Sequence, residues 1–189
     1  MQFIRNFYLA GGTALALQYG HRESVDFDFF TESPFESDDI IDQLSEKCKP
    51  KLNYKSKNTL GLWIEDVTCT FFLYKYPILE DFLLFDQIKL IRVADIAAMK
   101  IAAISGRGKK RDFIDLFFIC RRNYPLQEVL KLYQKKYEIL NHDLYHVYMS
   151  LMYFEDAERD AMPQMFVDTN WEEVKAFFKD QIKKLMEQS

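Results

Sequence analysis

Cysteine is scarce in this 189-residue sequence. Cys48, Cys69 and Cys120 are odd in number, lie far apart and form no C-x-x-C pair. That argues against a disulfide framework and against a cysteine zinc site. Long hydrophobic runs are missing as well: none reaches the roughly 20 residues that span a bilayer. Met1 to Asn6 carries no signal-peptide pattern. The expectation is a soluble protein of a reducing compartment, the cytoplasm, with no membrane partner. There is no excess of positive charge. The 25 Lys and Arg against 29 Asp and Glu give a formal net charge of -4, so a globally basic nucleic-acid binder is excluded and any nucleic-acid contact must come from a local patch. The sequence has no G-x-x-x-x-G-K-[ST] phosphate loop and no G-x-S-x-G elbow. Repeats and low-complexity segments are absent. No heptad or broad apolar stripe argues for an obligate dimer, and a monomer is the expected state.

What remains is the composition of a folded domain. Hydrophobic residues make up 49%, with 17 Phe and 11 Tyr to fill a core. Phe7 to Ala10 reads as a short buried strand that ends at Gly11-Gly12. Thr13 to Tyr19 suits a helix stopped by Gly20. Val25 to Phe30 alternates as a strand, with Val25, Phe27 and Phe29 on one face and Ser24, Asp26 and Asp28 on the other. Ser37 is placed to cap a helix whose apolar face is Ile40, Ile41, Leu44 and Cys48. From Lys51 to Tyr74 the pattern turns to strands, with Glu65-Asp66 as a tight hairpin. Leu79 to Arg92 is apolar and harder to assign, with a last strand over Ile88 to Arg92. From Ala94 onward the sequence predicts helices over Asp95–Ser105, Lys110–Arg122, Leu126–Tyr137, Asp143–Phe154 and Trp171–Met186. The fold class expected is α+β, a mixed-sheet N-terminal half followed by an all-helical C-terminal half. Its division is 1–93 as an α/β core and 94–189 as a helical part packed on that core.

Several residues carry chemistry. Asp26 and Asp28 share a strand face about 7 Å apart at the backbone, so both reach one metal, or two metals about 4 Å apart. Upstream, the strand-to-helix junction at Gly11-Gly12-Thr13 exposes unpaired backbone N–H groups where phosphate binds. Ser24 lies on the acidic face, either as a phosphate contact or as a plain polar residue. Lys100 has Ala97, Ala103 and Ile104 as helical neighbours, so it snorkels to water or meets an anion such as a nucleotide phosphate. Asp112 sits beside Leu116 and Ile119. It either pairs structurally with Lys100 or Arg111, or lines one cleft with Asp26 and Asp28. Asp115 falls at the edge of the same face. Arg107-Gly108-Lys109-Lys110-Arg111 puts four cations in five residues, a solvated helix cap or a contact for triphosphate or an RNA backbone. His142 and His146 stand i, i+4 without an evident third ligand, and no metal is expected there.

The run from Gly11-Gly12-Thr13 to Leu17, followed by Gly20-His21-Arg22-x-Ser24-x-Asp26-x-Asp28-x-Phe30, resembles the first motif of the AbiEii/AbiGii toxin family. These are minimal nucleotidyltransferases with a polymerase-beta-like fold. Ala94 to Lys100, and then Arg107, Asp112 and Asp115, resemble the family's lysine and R-x-x-x-x-D-x-x-D motifs. Tyr153, Phe154, Asp156, Ala157, Glu158 and Trp171 resemble its C-terminal part. The resemblance implies transfer of a nucleotide from an NTP, with Mg²⁺ (or Mn²⁺), to an RNA such as tRNA or to a protein. It also implies a role as the toxin of a toxin–antitoxin or phage-defence pair, with a cognate antitoxin as partner. Carried over by position, Asp26 and Asp28 would be metal ligands, and Gly11, Gly12, Thr13 and Ser24 would hold the nucleotide. Lys100 would bind phosphate and Asp112 would be a further catalytic acid. Arg107 and Arg111 join the nucleotide contacts. Two departures stand out. Thr70 occupies the mid-strand position where relatives often have an aspartate, and only Met1 to Asn6 precede the first strand where relatives often carry a helix.

Overall fold

Short apolar runs bounded by glycine, and longer runs with helical spacing, settle into one mixed sheet and a set of helices packed around it. The computed structural model describes residues 3–140 and 143–187. Strand β1 is Tyr8–Ala10, helix α1 is Gly11–Tyr19, β2 is Phe27–Thr31 and α2 is Ser37–Ser45. Then come β3 at Lys51–Ser56, β4 at Thr59–Ile64, β5 at Val67–Leu73, β6 at Leu83–Phe85 and β7 at Ile88–Leu90. The helical half holds α3 at Val93–Arg107, α4 at Lys110–Arg122, α5 at Leu126–Lys136, α6 at Leu144–Met152, the short α7 at Glu155–Glu158, and α8 at Trp171–Glu187.

The strands lie in the order β3-β4-β5-β2-β1-β7-β6. The β2–β5 and β1–β7 pairs are parallel and the remaining pairs antiparallel. Period-two alternation gives the sheet two different faces. Leu9, Phe29, Phe71, Leu60 and Leu62 form one, buried with Phe3 and Phe7. Phe29 stacks on Phe71 at 5.2 Å and Phe7 meets Phe71 edge-on at 5.3 Å. Each such ring removed from water stabilises the fold by about 1.5–3 kcal/mol. On the other face Tyr8, Phe30 and Phe72 stack, at 6.0 Å and 5.2 Å, and Asp28 follows the same alternation.

Helix α3 places Ala94, Ala97, Ala98, Ile101 and Ile104 in the core, where small side chains let neighbouring elements approach closely. Gly108 ends it in the left-handed region at φ 55°. Lys110 then starts α4, which buries Phe113, Ile114, Leu116, Phe117 and Ile119. Phe113, Phe154, Trp171 and Phe178 pack together and tie α4 to α8. One buried cluster runs through both halves of the chain. Among the described residues no helix is long and apolar enough to cross a membrane, and Cys48, Cys69 and Cys120 are all free.

Four local expectations need correction. Strand β2 begins at Phe27, not at Val25, and Val25 is 56% exposed. The inward alternation therefore holds for Phe27 and Phe29 alone, and Asp26 sits just before the strand. Helix α2 starts at Ser37 itself, after Glu36, with no side-chain cap. The stretch Leu79–Arg92 contains two strands, each only three residues long, closed by Asp86 and Gln87 at φ 42° and 72°. Three residues are too few for a readable period. Finally, α6 starts at Leu144, because Asp143 is its cap and accepts a hydrogen bond from the Tyr145 N–H at 2.9 Å.

Candidate active site

The registers of the sheet build the site. Ala10, the last residue of β1, pairs with Asp28 on β2, and α1 begins at the next residue. The free N–H groups at the start of α1 therefore open beside the Asp28 carboxylate. Gly11 holds φ 68°, and a methyl group there would lie 3.0 Å from Asp28 Oδ2. Thr13 donates its hydroxyl proton to the Asp26 carbonyl and lies 2.9 Å from the Ser24 hydroxyl. It thereby fastens the loop carrying Ser24 and Asp26 to the helix.

A cleft of about 440 Å³ opens here, within the usual range for a small-molecule site. Gly11, Gly12, Ser24, Asp26, Asp28, Lys100, Arg107, Arg111 and Asp112 line it, and Phe30, Phe72, Tyr74, Ile96 and Met99 form its less polar wall. Of the residues singled out from sequence, Thr13 and Asp115 are buried outside the lining, and Lys109 and Lys110 lie outside it too, bonded to Asp160. Lys100 and Asp112 are thus both a structural ion pair and parts of the cleft holding Asp26 and Asp28, which unites the two alternatives that spacing left open. His146 lines a neighbouring groove that shares Gly106 and Arg107 with the cleft, while His142 lies outside the described residues.

Behind the cleft is a buried ion network. Asp115 is fully buried and accepts from His21 Nε2 at 2.8 Å, Arg22 Nε at 2.7 Å and Arg22 Nη2 at 2.8 Å. Lys100 Nζ meets Asp115 Oδ2 at 2.6 Å and Asp112 Oδ1 at 2.7 Å. Arg107 donates to both oxygens of Asp112, at 3.0 Å and 3.3 Å. Burial alone pushes the Asp115 carboxyl up, but Lys100, His21 and Arg22 outweigh it and hold it well below the usual range. Asp112 is likewise held low, burial being outweighed by Lys100 and Arg107. Lys100 carries three N–H donors, and these two carboxylates occupy two of them.

Gly12 makes this network possible. A methyl group there would stand 2.5 Å from Arg22 Nη2 and 3.3 Å from Ser24 Oγ. Gly12→Ala is expected to push Arg22 off Asp115 and to lower stability by about 1–3 kcal/mol, measured by denaturant melts. A melt equal to wild type would show that the guanidinium relaxes without leaving its partner.

The acidic pair behaves differently. The Asp28 carboxyl is pushed up, chiefly by burial and then by Asp26, against the smaller pull of Lys100, Arg107 and Arg111. Arg111 Nη1 reaches Asp26 Oδ2 at 3.4 Å. Two adjacent carboxylates, one half-buried and resisting ionisation, fit a cation. Among the described residues no cluster of three or more His, Cys, Asp or Glu is poised for a metal. Two carboxylates with substrate phosphates and water completing the shell is how Mg²⁺ is commonly held, so the donor set fits that ion.

Thr70 pairs in register with Asp28 on the parallel neighbour β5 and is 5% exposed. An acid there would be the nearest cross-strand partner of Asp28. The sequence assigns no role to His21 and Arg22, and places Asp115 at the edge of the helical face that carries Asp112. The spacing of Asp112 and Asp115, one helical turn apart, was a signal for Asp115. Nothing in the sequence linked it to Arg22, 93 residues away.

A mixed sheet with a carboxylate pair at the start of a central strand, a glycine-initiated helix beside it and a helical half closing the cleft is the polymerase-beta-like nucleotidyltransferase fold. MenT4, a nucleotidyltransferase toxin from Mycobacterium tuberculosis H37Rv, superposes with a TM-score of 0.64 at 16% identity, over 94% of this chain and 74% of that one. JHP933 from Helicobacter pylori superposes at 0.55 with 19% identity, over 97% and 86%. The family model described as nucleotidyl transferase AbiEii toxin, type IV TA system, matches residues 2–58 and 74–188. The chain belongs to the AbiEii nucleotidyltransferase toxin family. The uncharacterized protein aq_aa25 of Aquifex aeolicus (strain VF5) is 42% identical over 187 residues, 96% of this chain and 89% of that protein.

Proposed function

We propose that this protein transfers a nucleotide from an NTP to a hydroxyl of an RNA acceptor, tRNA ends included, as the cytoplasmic toxin of a toxin–antitoxin pair active in phage defence. The observation that carries this reading is the meeting of Asp26 and Asp28 with the N-terminus of α1 and with Lys100, Arg107 and Arg111 in one cleft. In the reaction the acceptor hydroxyl oxygen attacks the α-phosphorus in line as its proton passes to solvent water, a new P–O bond forms, the bond from the α-phosphorus to the bridging α–β oxygen breaks, and pyrophosphate leaves. Mg²⁺, or Mn²⁺, held by Asp26 and Asp28, offsets charge on the phosphate oxygens when bound. The backbone of Gly11 and Gly12 and the Ser24 hydroxyl hold the triphosphate. Arg111 neutralises its outer oxygens, and Arg107 and Lys100, although paired to Asp112, line the same cleft and offer it the N–H groups that Asp112 and Asp115 leave over. Phe72, Tyr74 and Met99 give the base an apolar wall.

Asp112 positions rather than accepts a proton: a carboxylate held low by Lys100 and Arg107 is a poor base. Incubating the protein with Mg²⁺, each labelled NTP and total RNA is expected to label RNA, and Asp26→Ala is expected to abolish it. Labelling that persists in Asp26→Ala would sink the metal-ligand assignment.

A second reading, an NTP- or partner-binding module with weak turnover, draws on Thr70, since no free acid adjoins Asp28 on its parallel neighbour. NTP binding without labelling of any acceptor, with labelling restored by Thr70→Asp, would favour it.

A further inference from the structure

Beyond Thr70 the sheet continues away from the cleft as a surface that holds neither the metal ligands nor the triphosphate contacts. Thr70 of β5 pairs with Gly61 of β4, and Gly61 pairs with Tyr54 of β3. Asp28, Thr70, Gly61 and Tyr54 therefore form one row across four strands. At about 4.8 Å between strands, Gly61 lies about 10 Å from Asp28. A methyl group on Gly61 would fall 2.3 Å from Tyr54 Cε1 and 2.6 Å from Cδ1. The Tyr54 ring thus occupies the space above Gly61 and leans over the sheet toward the cleft. Tyr54 nevertheless remains 43% exposed. Trp63, two residues along β4 on the same face, is 42% exposed and pairs with Thr68 and Lys51. Exposed lysines flank Tyr54 on both sides, Lys51 on the same strand and Lys57 in the turn that follows.

An aromatic side chain seated on bare backbone, with its outer side open, offers a base a flat partner. Aromatic rings followed by lysines, on a sheet face continuous with a phosphate-binding cleft, match how single-stranded nucleic acid is gripped: bases stack on rings and cations track the backbone. A peptide in extended form would seek the free edge of β3 for backbone hydrogen bonds, and would leave the rings on the face without a role. We propose that Tyr54, seated on Gly61, stacks a base of a single-stranded RNA acceptor whose terminal hydroxyl lies at Asp28, with Trp63 as the next stacking surface. The proposal rests on the reading of the cleft as a nucleotidyl-transfer site and gives that site its acceptor side.

The test uses the full chain and a fluorescein-labelled single-stranded RNA dodecamer at one fixed ionic strength, since phosphate contacts vary with salt. Tyr54→Ala is expected to raise Kd between about fivefold and about 150-fold. Tyr54→Phe keeps the ring and is expected to stay near wild type. Trp63→Ala is expected to weaken binding in the same sense. Because Tyr54 is exposed, melting temperatures of the three variants are expected to match wild type, and a variant that does not match is replaced by Tyr54→Leu, which fills the site without a stacking face. Equal Kd for wild type and Tyr54→Ala overturns the proposal, as does exclusive labelling of protein by the wild-type enzyme. Failure of the transfer reading looks different: the wild type labels no acceptor at all, yet Tyr54→Ala still loses RNA affinity, and the stacking surface stands.

Discussion

Asp115→Asn is expected to lower the stability of the protein by about 3–5 kcal/mol, a large part of the 5–15 kcal/mol typical of a folded domain. The expected fall in melting temperature is roughly 10 °C or more, measured by circular dichroism. Asp115 is 0% exposed and joins His21, Arg22 and Lys100. An amide of the same shape keeps the packing but removes the charge. It leaves a guanidinium and an ammonium buried with only Asp112 near the latter, and an amide nitrogen facing donors. The pH dependence has a definite sign. Despite burial, Lys100, His21 and Arg22 hold the Asp115 carboxyl low in the folded state. Its contribution is therefore fully present above the ordinary aspartate value of about 3.9 and fades as pH falls below that toward the depressed folded value. Asp112, also held low, fades in the same direction. The gap in stability between wild type and Asp115→Asn is expected to be constant near neutrality and to close only in acid. A gap that closes on raising the pH instead would contradict the network.

Asp28→Asn is expected to act on function and on stability in opposite directions. Loss of one carboxylate from a metal-binding pair costs several kcal/mol of transition-state stabilisation, so labelling of RNA is expected to fall about 10³-fold or more. In metal-free buffer the variant is expected to melt higher than wild type. Burial, and then Asp26, raise the Asp28 carboxyl in the folded state, so ionised Asp28 is a cost. That cost is absent below the ordinary value of about 3.9, grows as pH rises toward the raised folded value, and is complete above it. The advantage of Asp28→Asn is thus expected to appear on going from acid to neutral pH. Mg²⁺ is expected to raise the melting temperature of wild type by mass action and to leave the variant unchanged. An equal rise in both proteins would remove Asp28 from the cation site.

Much of this was open to reading in the chain. The helices α3, α4, α5 and α8 followed from apolar periodicity, and α4 began at Lys110 and ended at Arg122 as the pattern required. The carboxylate pair and the glycine junction were visible because their chemistry depends on neighbours within a few residues. Strand β7 falls within the strand expected over Ile88 to Arg92, but β6 was hidden because its three residues carry too little pattern, and the pairing of β7 with β1 is long-range. Alternation groups Val25 with Phe27 and Phe29 because it cannot tell a strand from the extended loop before it. Thr13 had the appearance of a phosphate ligand, yet its hydroxyl is turned to the Asp26 carbonyl.

The sequence by itself determined the local parts: a glycine turn opening a helix, Asp26 and Asp28 two residues apart, a cationic loop, a lysine and an aspartate on apolar helical faces. Spacing along a strand or helix decides such features, because both have fixed periods. Only the tertiary structure decided which charges are free. Lys100 and Arg107 are bound to Asp112, Arg22 and Lys100 to Asp115, while Asp28 has Asp26 rather than a cation as its strongest charged neighbour. It also decided that Thr70 stands beside Asp28 and that Tyr54 lies over Gly61. Pairing of charges and rings across strands depends on register between segments far apart in the chain, and no local period encodes register.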